Sequence, residues 1–237
     1  MIKEIDKYLI GVAIGIRYRA NFSIEDQLGK IVDQILYNKN STFDANVFPL
    51  VQNNVADKSL FNDKTGDSLL INNSNIIVEI NFGKTFETKD YSTIIESFNK
   101  EIIEGILKCY KITEINRVGI IKRYLFKVED LAKSFLNKTI GGTIDGVNDI
   151  NLRFSKKFPV SDSLVQKEIY DYHNAIFNIV KKADRDEIFM SIDYQKYFEP
   201  FLSTASQIGF IEFAQNVDRY NNGNYVEWIN KNYLLGK

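Results

Sequence analysis

The twelve residues I-N-R-V-G-I-I-K-R-Y-L-F, Ile115 to Phe126, place two arginines, a lysine, a glycine and a tyrosine in one predicted strand. A related string, G-I-R-Y-R at residues 15–19, lies at the end of the first predicted strand, residues 8–18. Along that first strand, bulky apolar residues alternate with mostly small ones. This period of two residues predicts one bulky face and one small face, and small residues let another element approach closely.

The chain between these two strands is expected to form a helix, a set of hairpins and a second helix. Ser23 is predicted to cap the first helix, whose apolar residues recur at helical spacing as far as Leu36. Residues 43–55 are expected to be irregular. Short alternating runs joined by polar turns within residues 59–82 predict antiparallel hairpins. An apolar stripe over residues 91–110, capped by Asp90, predicts a long helix.

The chain beyond Phe126 is expected to begin with a short helix at residues 128–136 and a glycine-rich loop at residues 139–146. That loop is the best candidate for a boundary between halves. The sequence therefore predicts a first half at residues 1–138 and a second half at residues 147–237. Packing of the two halves as one continuous domain is left open.

The second half is expected to open with a strand at residues 150–158. Residues 164–180 fit a helix almost as well as a strand. Their length favours a helix, whereas their content of Tyr, Ile, Phe and Val favours a strand. We predict a strand paired with residues 187–193. Helices are expected at residues 204–219 and 225–235, with the first ended by N-N-G-N at residues 221–224.

These patterns together predict an α+β fold. Helices pack on one face of an antiparallel sheet, the first half is ferredoxin-like, and the second half is a strand hairpin plus a helix.

Composition excludes several classes of protein. The chain has 237 residues and a formal net charge of −1, which argues against a bulk electrostatic grip on nucleic acid or an anionic membrane. A single cysteine, Cys109, excludes an internal disulfide and fits a reducing compartment. No apolar run approaches the ~20 residues of a membrane span. The N-terminal M-I-K-E-I-D-K-Y carries two acids before its short apolar run, which is not typical of a signal peptide. We expect a cytoplasmic protein.

The R-V-G-I-I-K-R-Y string resembles the Arg-x-Gly-x-Arg-Tyr-x-Asn strand of a sporadically distributed bacterial protein family with no assigned activity. The S-I-D-Y string at residues 191–194 is similar to that family's second half, and the resemblance covers residues 58–237. Here Ile121 and Lys122 displace the Arg-Tyr pair to Arg123 and Tyr124, which predicts an extra residue accommodated as a β-bulge. The resemblance implies the fold and no activity.

Catalytic constellations are not evident in the sequence. The single histidine, His173, cannot form a multi-histidine metal site, and a structural role is favoured for it. Cys109 falls on the apolar stripe of the long helix and is expected to be buried and inert. The loop at residues 141–146 lacks the Lys-Ser/Thr ending of a phosphate-binding P-loop. We therefore predict no catalytic residue, no metal and no cofactor.

The two basic strands are the best candidate site. Arg17, Arg19, Arg117 and Arg123, with Tyr124 beside them, can bind a phosphate bidentately and stack a base. The simpler interpretation is that these arginines pair with local acids or lie along an exposed sheet face.

Two functions follow. The sequence favours a non-catalytic interaction protein, an accessory or antitoxin-like component of a bacterial defence or toxin module. Its partner would be another protein, encoded nearby, or a second copy of the chain, because Tyr and Phe are abundant and suit interfaces. The alternative is a nucleotide- or RNA-binding protein, or an enzyme acting on phosphorylated substrates, that uses the basic strand face.

Overall fold

A computed structural model describes residues 4–38, 40–53, 57–82, 91–126, 150–158, 170–181 and 187–231. Several predictions lie outside these residues. They are the Asp90 cap, the helix at residues 128–136, the glycine-rich loop at residues 139–146, and the ends of the predicted elements at residues 164–169 and 232–235.

One antiparallel sheet of nine strands runs through the described chain, which confirms the predicted α+β class. The strands are β1 (Leu9–Tyr18), β2 (Leu50–Asn53), β3 (Asp57–Phe61), β4 (Ser68–Asn72), β5 (Asn75–Asn81), β6 (Ile115–Phe126), β7 (Ile150–Phe158), β8 (Tyr170–Lys181) and β9 (Ile188–Leu202). Their order in the sheet is β2-β3-β4-β5-β1-β6-β9-β8-β7.

Helices pack on one face of this sheet, here called the covered face. They are α1 (Phe22–Glu25), α2 (Leu28–Leu36), α3 (Tyr91–Ser97) with its π-helical continuation Phe98–Leu107, α4 (Phe210–Tyr220) with its π-helical continuation Asn221–Tyr225, and α5 (Val226–Ile229). Phe98 and Phe210 pack with ring centroids 5.2 Å apart, so helices from both predicted halves share one core.

The two predicted halves meet in the middle of the sheet. In the first half β1 lies between β5 and β6, which is the strand order expected of a ferredoxin-like unit. In the second half β8 pairs with β9, so the ambiguous stretch is a strand within the described residues, as predicted. Because β6 pairs with β9, hydrogen bonding is continuous across both halves.

Three local predictions outside β6 are wrong. The side chain of Asn21, and not Ser23, caps the first helix by accepting the backbone N–H of Ser23 at 3.1 Å, and the helix breaks into α1 and α2. The stretch predicted to be irregular contains β2. Residues 221–224 do not end the terminal helix, because the chain continues there with π-helical hydrogen bonding.

Strand β6 alternates regularly from Arg117 to Phe126. The bulge predicted near Ile121 and Lys122 is wrong, and the only register shift between β6 and β9 lies between Ile115 and Arg117. Because the strand is regular and Arg117 and Arg123 are six residues apart, both lie on the same face.

Lys122 is the exception on the covered face of β6, where its neighbours are apolar or aromatic. Its side chain has no exposed surface. The amine Nζ lies 2.7 Å from Asp218 Oδ1 and 3.2 Å from Asp6 Oδ1, and 3.8 Å from the centre of the Tyr91 ring. The charge is therefore held by two carboxylates and an aromatic face, which offsets the cost of its burial.

Polar groups extend this cluster to both ends of the chain. Tyr124 Oη donates a hydrogen bond to Asp6 Oδ1 at 3.3 Å and accepts one from Asn221 Nδ2 at 2.8 Å. Asn222 Nδ2 donates to Asp6 Oδ2 at 3.1 Å. Burial raises the pKa of Tyr124 well above its ordinary value, and the Asp6 carboxylate raises it further. Burial also raises the pKa of Asp218, and the charge of Lys122 partly opposes that shift. The cluster thus ties the N-terminal 3-10 helix Ile5–Tyr8 and the C-terminal helices to the central strand.

Asp218→Asn leaves the buried Lys122 with one carboxylate fewer and also removes the cost of burying the Asp218 charge, so its effect on the free energy of unfolding in the wild type is the balance of these two. In a Lys122→Met background the same change should cost at least about 1 kcal/mol less. Urea denaturation of the four proteins measures this coupling. Glu104→Gln, which breaks the exposed Glu104–Lys108 pair, is the control and should cost less than about 0.5 kcal/mol. An equal cost of Asp218→Asn in both backgrounds would contradict the pairing.

Candidate anion-binding site

The face opposite the helices, here called the open face, carries the candidate site. In the antiparallel ladder of β1 and β6, Gly15 lies directly opposite Gly119, and Arg17 lies directly opposite Arg117. The next strand outward, β5, places Ile77 beside Gly15, and β9 places Gln195 beside Gly119. The strand register therefore brings two glycines and two arginines into adjacent rows.

These rows form an open pocket of about 110 Å³. Backbone at the two glycines makes up part of its floor. A Cβ at Gly15 would meet Ile77 Cγ1 at 3.4 Å, and a Cβ at Gly119 would meet Tyr194 O at 3.4 Å and Asp193 Oδ1 at 3.8 Å. The floor is thus bare backbone bounded by an apolar wall on one side and a carboxylate oxygen on the other.

The two arginines stand at one end of the pocket. Within the described chain neither forms an ion pair with a carboxylate, and the guanidinium of Arg117 lies 5.8 Å from the centre of the Tyr197 ring. Like charges directly opposite each other in a sheet destabilise it by roughly 0.2–1 kcal/mol. An anion between the guanidiniums would remove that repulsion and accept hydrogen bonds from both.

A row of hydrogen-bonded side chains on β9 forms the other wall. Tyr197 donates to Gln195 Oε1, and Gln195 Nε2 donates to Asp193 Oδ2 at 2.6 Å. Burial raises the pKa of Asp193, while the hydrogen bond from Gln195 and the charges of Arg117 and Arg153 oppose that shift. The hydrogen bond to Oδ2 fixes the carboxylate with Oδ1 beside Gly119.

The remaining predicted site residues do not join this pocket. Arg19 pairs with Glu114 at 2.8 Å, and Arg123 pairs with Glu79 across the small residues of β1. Tyr124 lies on the covered face and is fully buried, so it is not beside the basic side chains as the sequence suggested. The simpler interpretation therefore holds for Arg19 and Arg123, and the structure brings together only Arg17 and Arg117.

Sequence reasoning missed Asp193 and Gln195 as site residues. The signal was present in the string S-I-D-Y-Q-K-Y at residues 191–197, whose alternation puts Ser191, Asp193, Gln195 and Tyr197 on one face. The same alternation in β6 places Lys122 among covered-face positions. In both strands the alternation is visible in the sequence, but the sequence does not show which strand lies alongside.

The other chemically distinctive residues do not add a site. Cys109 is exposed, so the prediction of a buried cysteine is wrong. His173 occupies a position in β8 opposite Lys196. Among the described residues, no group of three or more His, Cys, Asp and Glu side chains is arranged to hold a metal ion.

Comparison with known proteins found no matching protein-family model and no similar curated protein. No helix in the described part of the chain combines the length and apolar character needed to cross a bilayer.

We expect Gly119→Ala to leave the free energy of unfolding unchanged or to raise it by up to about 0.5 kcal/mol, because its Cβ meets only ordinary contacts and alanine loses less backbone entropy. Gly11→Ala is the matched comparison, since its Cβ would lie 3.1 Å from Ile80 O, a backbone atom. That variant should lose about 1 kcal/mol or more. Urea denaturation distinguishes the two. A large loss in Gly119→Ala would mean that the bare floor is required by packing.

Proposed function

We propose that this chain binds a small anionic ligand, a phosphate-bearing molecule, on the open face of its sheet. The observation that carries the proposal is the direct opposition of Arg17 and Arg117 beside a glycine floor, with no carboxylate partner in the described chain. A planar guanidinium presents its donors in a fork that matches two oxygens of a phosphate, and two such forks can hold one dianion.

A long nucleic acid is a poorer fit than a small ligand. Binding along a phosphate backbone needs several free basic groups in a track. On this face Arg123 is engaged by Glu79, and beyond the strand end Arg19 is engaged by Glu114. The chain has a net charge of −1, and Arg17 and Arg117 lie side by side with no carboxylate partner among the described residues, so the pocket suits one phosphate group.

We expect inorganic phosphate to bind the wild-type chain saturably, and Arg17→Ala and Arg117→Ala each to weaken binding at least about tenfold, because each removes a charge-assisted pair. Isothermal titration calorimetry measures the affinities. At 100 times Kd, phosphate should add about 2.7 kcal/mol to the free energy of unfolding.

Arg19→Ala is the control for this experiment, because it removes an arginine of the same strand end that already pairs with Glu114. Its affinity for phosphate should stay within about twofold of wild type. Absence of saturable binding, or equal binding by Arg117→Ala and wild type, would end the proposal. Single-stranded RNA that binds more tightly than phosphate at equal phosphate concentration would favour the nucleic-acid alternative.

We keep the interaction protein as a second proposal because of the edge strand β2. Its residues are uncharged, and Leu50 and Val51 are 39% and 50% exposed. An uncharged, exposed edge can pair with an added strand of another polypeptide. An accessory or antitoxin-like role in a bacterial cytoplasm rests on the family resemblance and on the single cysteine.

A protein partner captured by the wild type and by Tyr37→Lys, but lost in Val51→Lys, would support this second proposal. Tyr37 is an exposed aromatic outside the sheet and serves as the matched control. Equal capture by both variants would place the interface elsewhere.

A further inference from the structure

The pocket on the open face has two chemically different ends. Arg17 and Arg117 supply cationic donors at one end, and the Asp193 carboxylate supplies an acceptor at the other. Because Asp193 pairs with Ile121, its row lies four residues along β6 from the row of Arg117. At about 3.3 Å per residue, roughly 13 Å of strand separates the two rows. A phosphate held by the arginines therefore leaves the carboxylate to a second group of the same ligand.

That second group must donate hydrogen bonds, because an ionised carboxylate only accepts them. The positive charges of Arg117 and Arg153 act on Asp193, its neighbours in the row are the apolar Ile121 and Ile176, and the neutral amide of Gln195 donates to its Oδ2. Two nearby positive charges disfavour a protonated amine at this place. Hydroxyl groups can donate hydrogen bonds to the carboxylate of Asp193 without being repelled by the two arginines.

The pocket leaves room for a connecting group. About 110 Å³ is open to the centres of water-sized groups, which is the space of several water molecules. A sugar ring or a short polyol fits this space on the glycine floor beside Ile77.

We infer that the ligand is a sugar phosphate, with its phosphate between Arg17 and Arg117 and its hydroxyls donating to Asp193 over Gly119. This inference rests on the proposed function, because it assigns the chemical class of the ligand held by the same arginines. A carboxylate that accepts a ribose hydroxyl is a recurring arrangement in dinucleotide-binding proteins.

The test compares three probes on the full chain by isothermal titration calorimetry: inorganic phosphate, propyl phosphate and ribose 5-phosphate. Propyl phosphate offers the anion and a carbon chain with no hydroxyl. We expect ribose 5-phosphate to bind at least tenfold more tightly than propyl phosphate. Equal affinities of these two probes would overturn the inference while leaving the proposed function intact. Failure of all three probes to bind would overturn both.

Asp193→Asn tests the acceptor directly. It keeps the size of the side chain and removes its charge, so the preference for ribose 5-phosphate over propyl phosphate should fall at least fivefold. Inorganic phosphate should bind this variant more tightly, because a nearby negative charge is gone. A preference that survives in Asp193→Asn would overturn the inference.

Gly119→Ala provides a second variant in case the first does not fold. Its methyl group would lie 3.8 Å from Asp193 Oδ1 and occupy the floor. Affinity for ribose 5-phosphate should fall by a larger factor than affinity for inorganic phosphate. Equal losses for both probes would contradict a sugar on this floor.

Discussion

The buried amine of Lys122 constrains the centre of this fold. It is held between Asp6 and Asp218 on the covered face, and leaving such a charge unpaired costs several kcal/mol. A slip of β6 by one residue would turn Lys122 to the open face and bury Arg123 beside the helices. The pairing of Lys122 with acids from both ends of the chain therefore specifies which side chains of β6 face outward.

The open face follows from that register. With Lys122 inward, Gly119 and Arg117 face outward, and the ladder sets them opposite Gly15 and Arg17. Packing accounts for Gly11, where a Cβ would press on the backbone of β5, but it does not account for Gly119, where a Cβ has room. The bare floor, and two arginines that pair with no carboxylate in the part of the chain that the structure describes, are thus features that the fold tolerates without needing. They are the reason to look for a ligand there.

The sequence was sufficient for properties that depend on local periodicity. Alternation predicted the outward face of β1, and the Tyr, Ile, Phe and Val content of β8 correctly favoured a strand. Pairings between distant residues could not be obtained this way. Whether Arg17 or Arg19 is free depends on where Glu114 lies, and the place of Asp193 beside Gly119 depends on the pairing of β6 with β9. These contacts arise from long-range register, which one sequence does not encode in any local pattern.

Binding of one anion by Arg17 and Arg117 should change the environment of these two guanidinium groups and leave the other arginines unchanged. Nuclear magnetic resonance of arginine Nε–Hε pairs during a titration with inorganic phosphate reports on each of them separately. The resonances of Arg17 and Arg117 should shift together and saturate at one phosphate concentration, while those of Arg19 and Arg123, held by Glu114 and Glu79, stay in place. Equal, non-saturating shifts of all four arginines, or no shift of Arg17 and Arg117, would contradict an anion site between them.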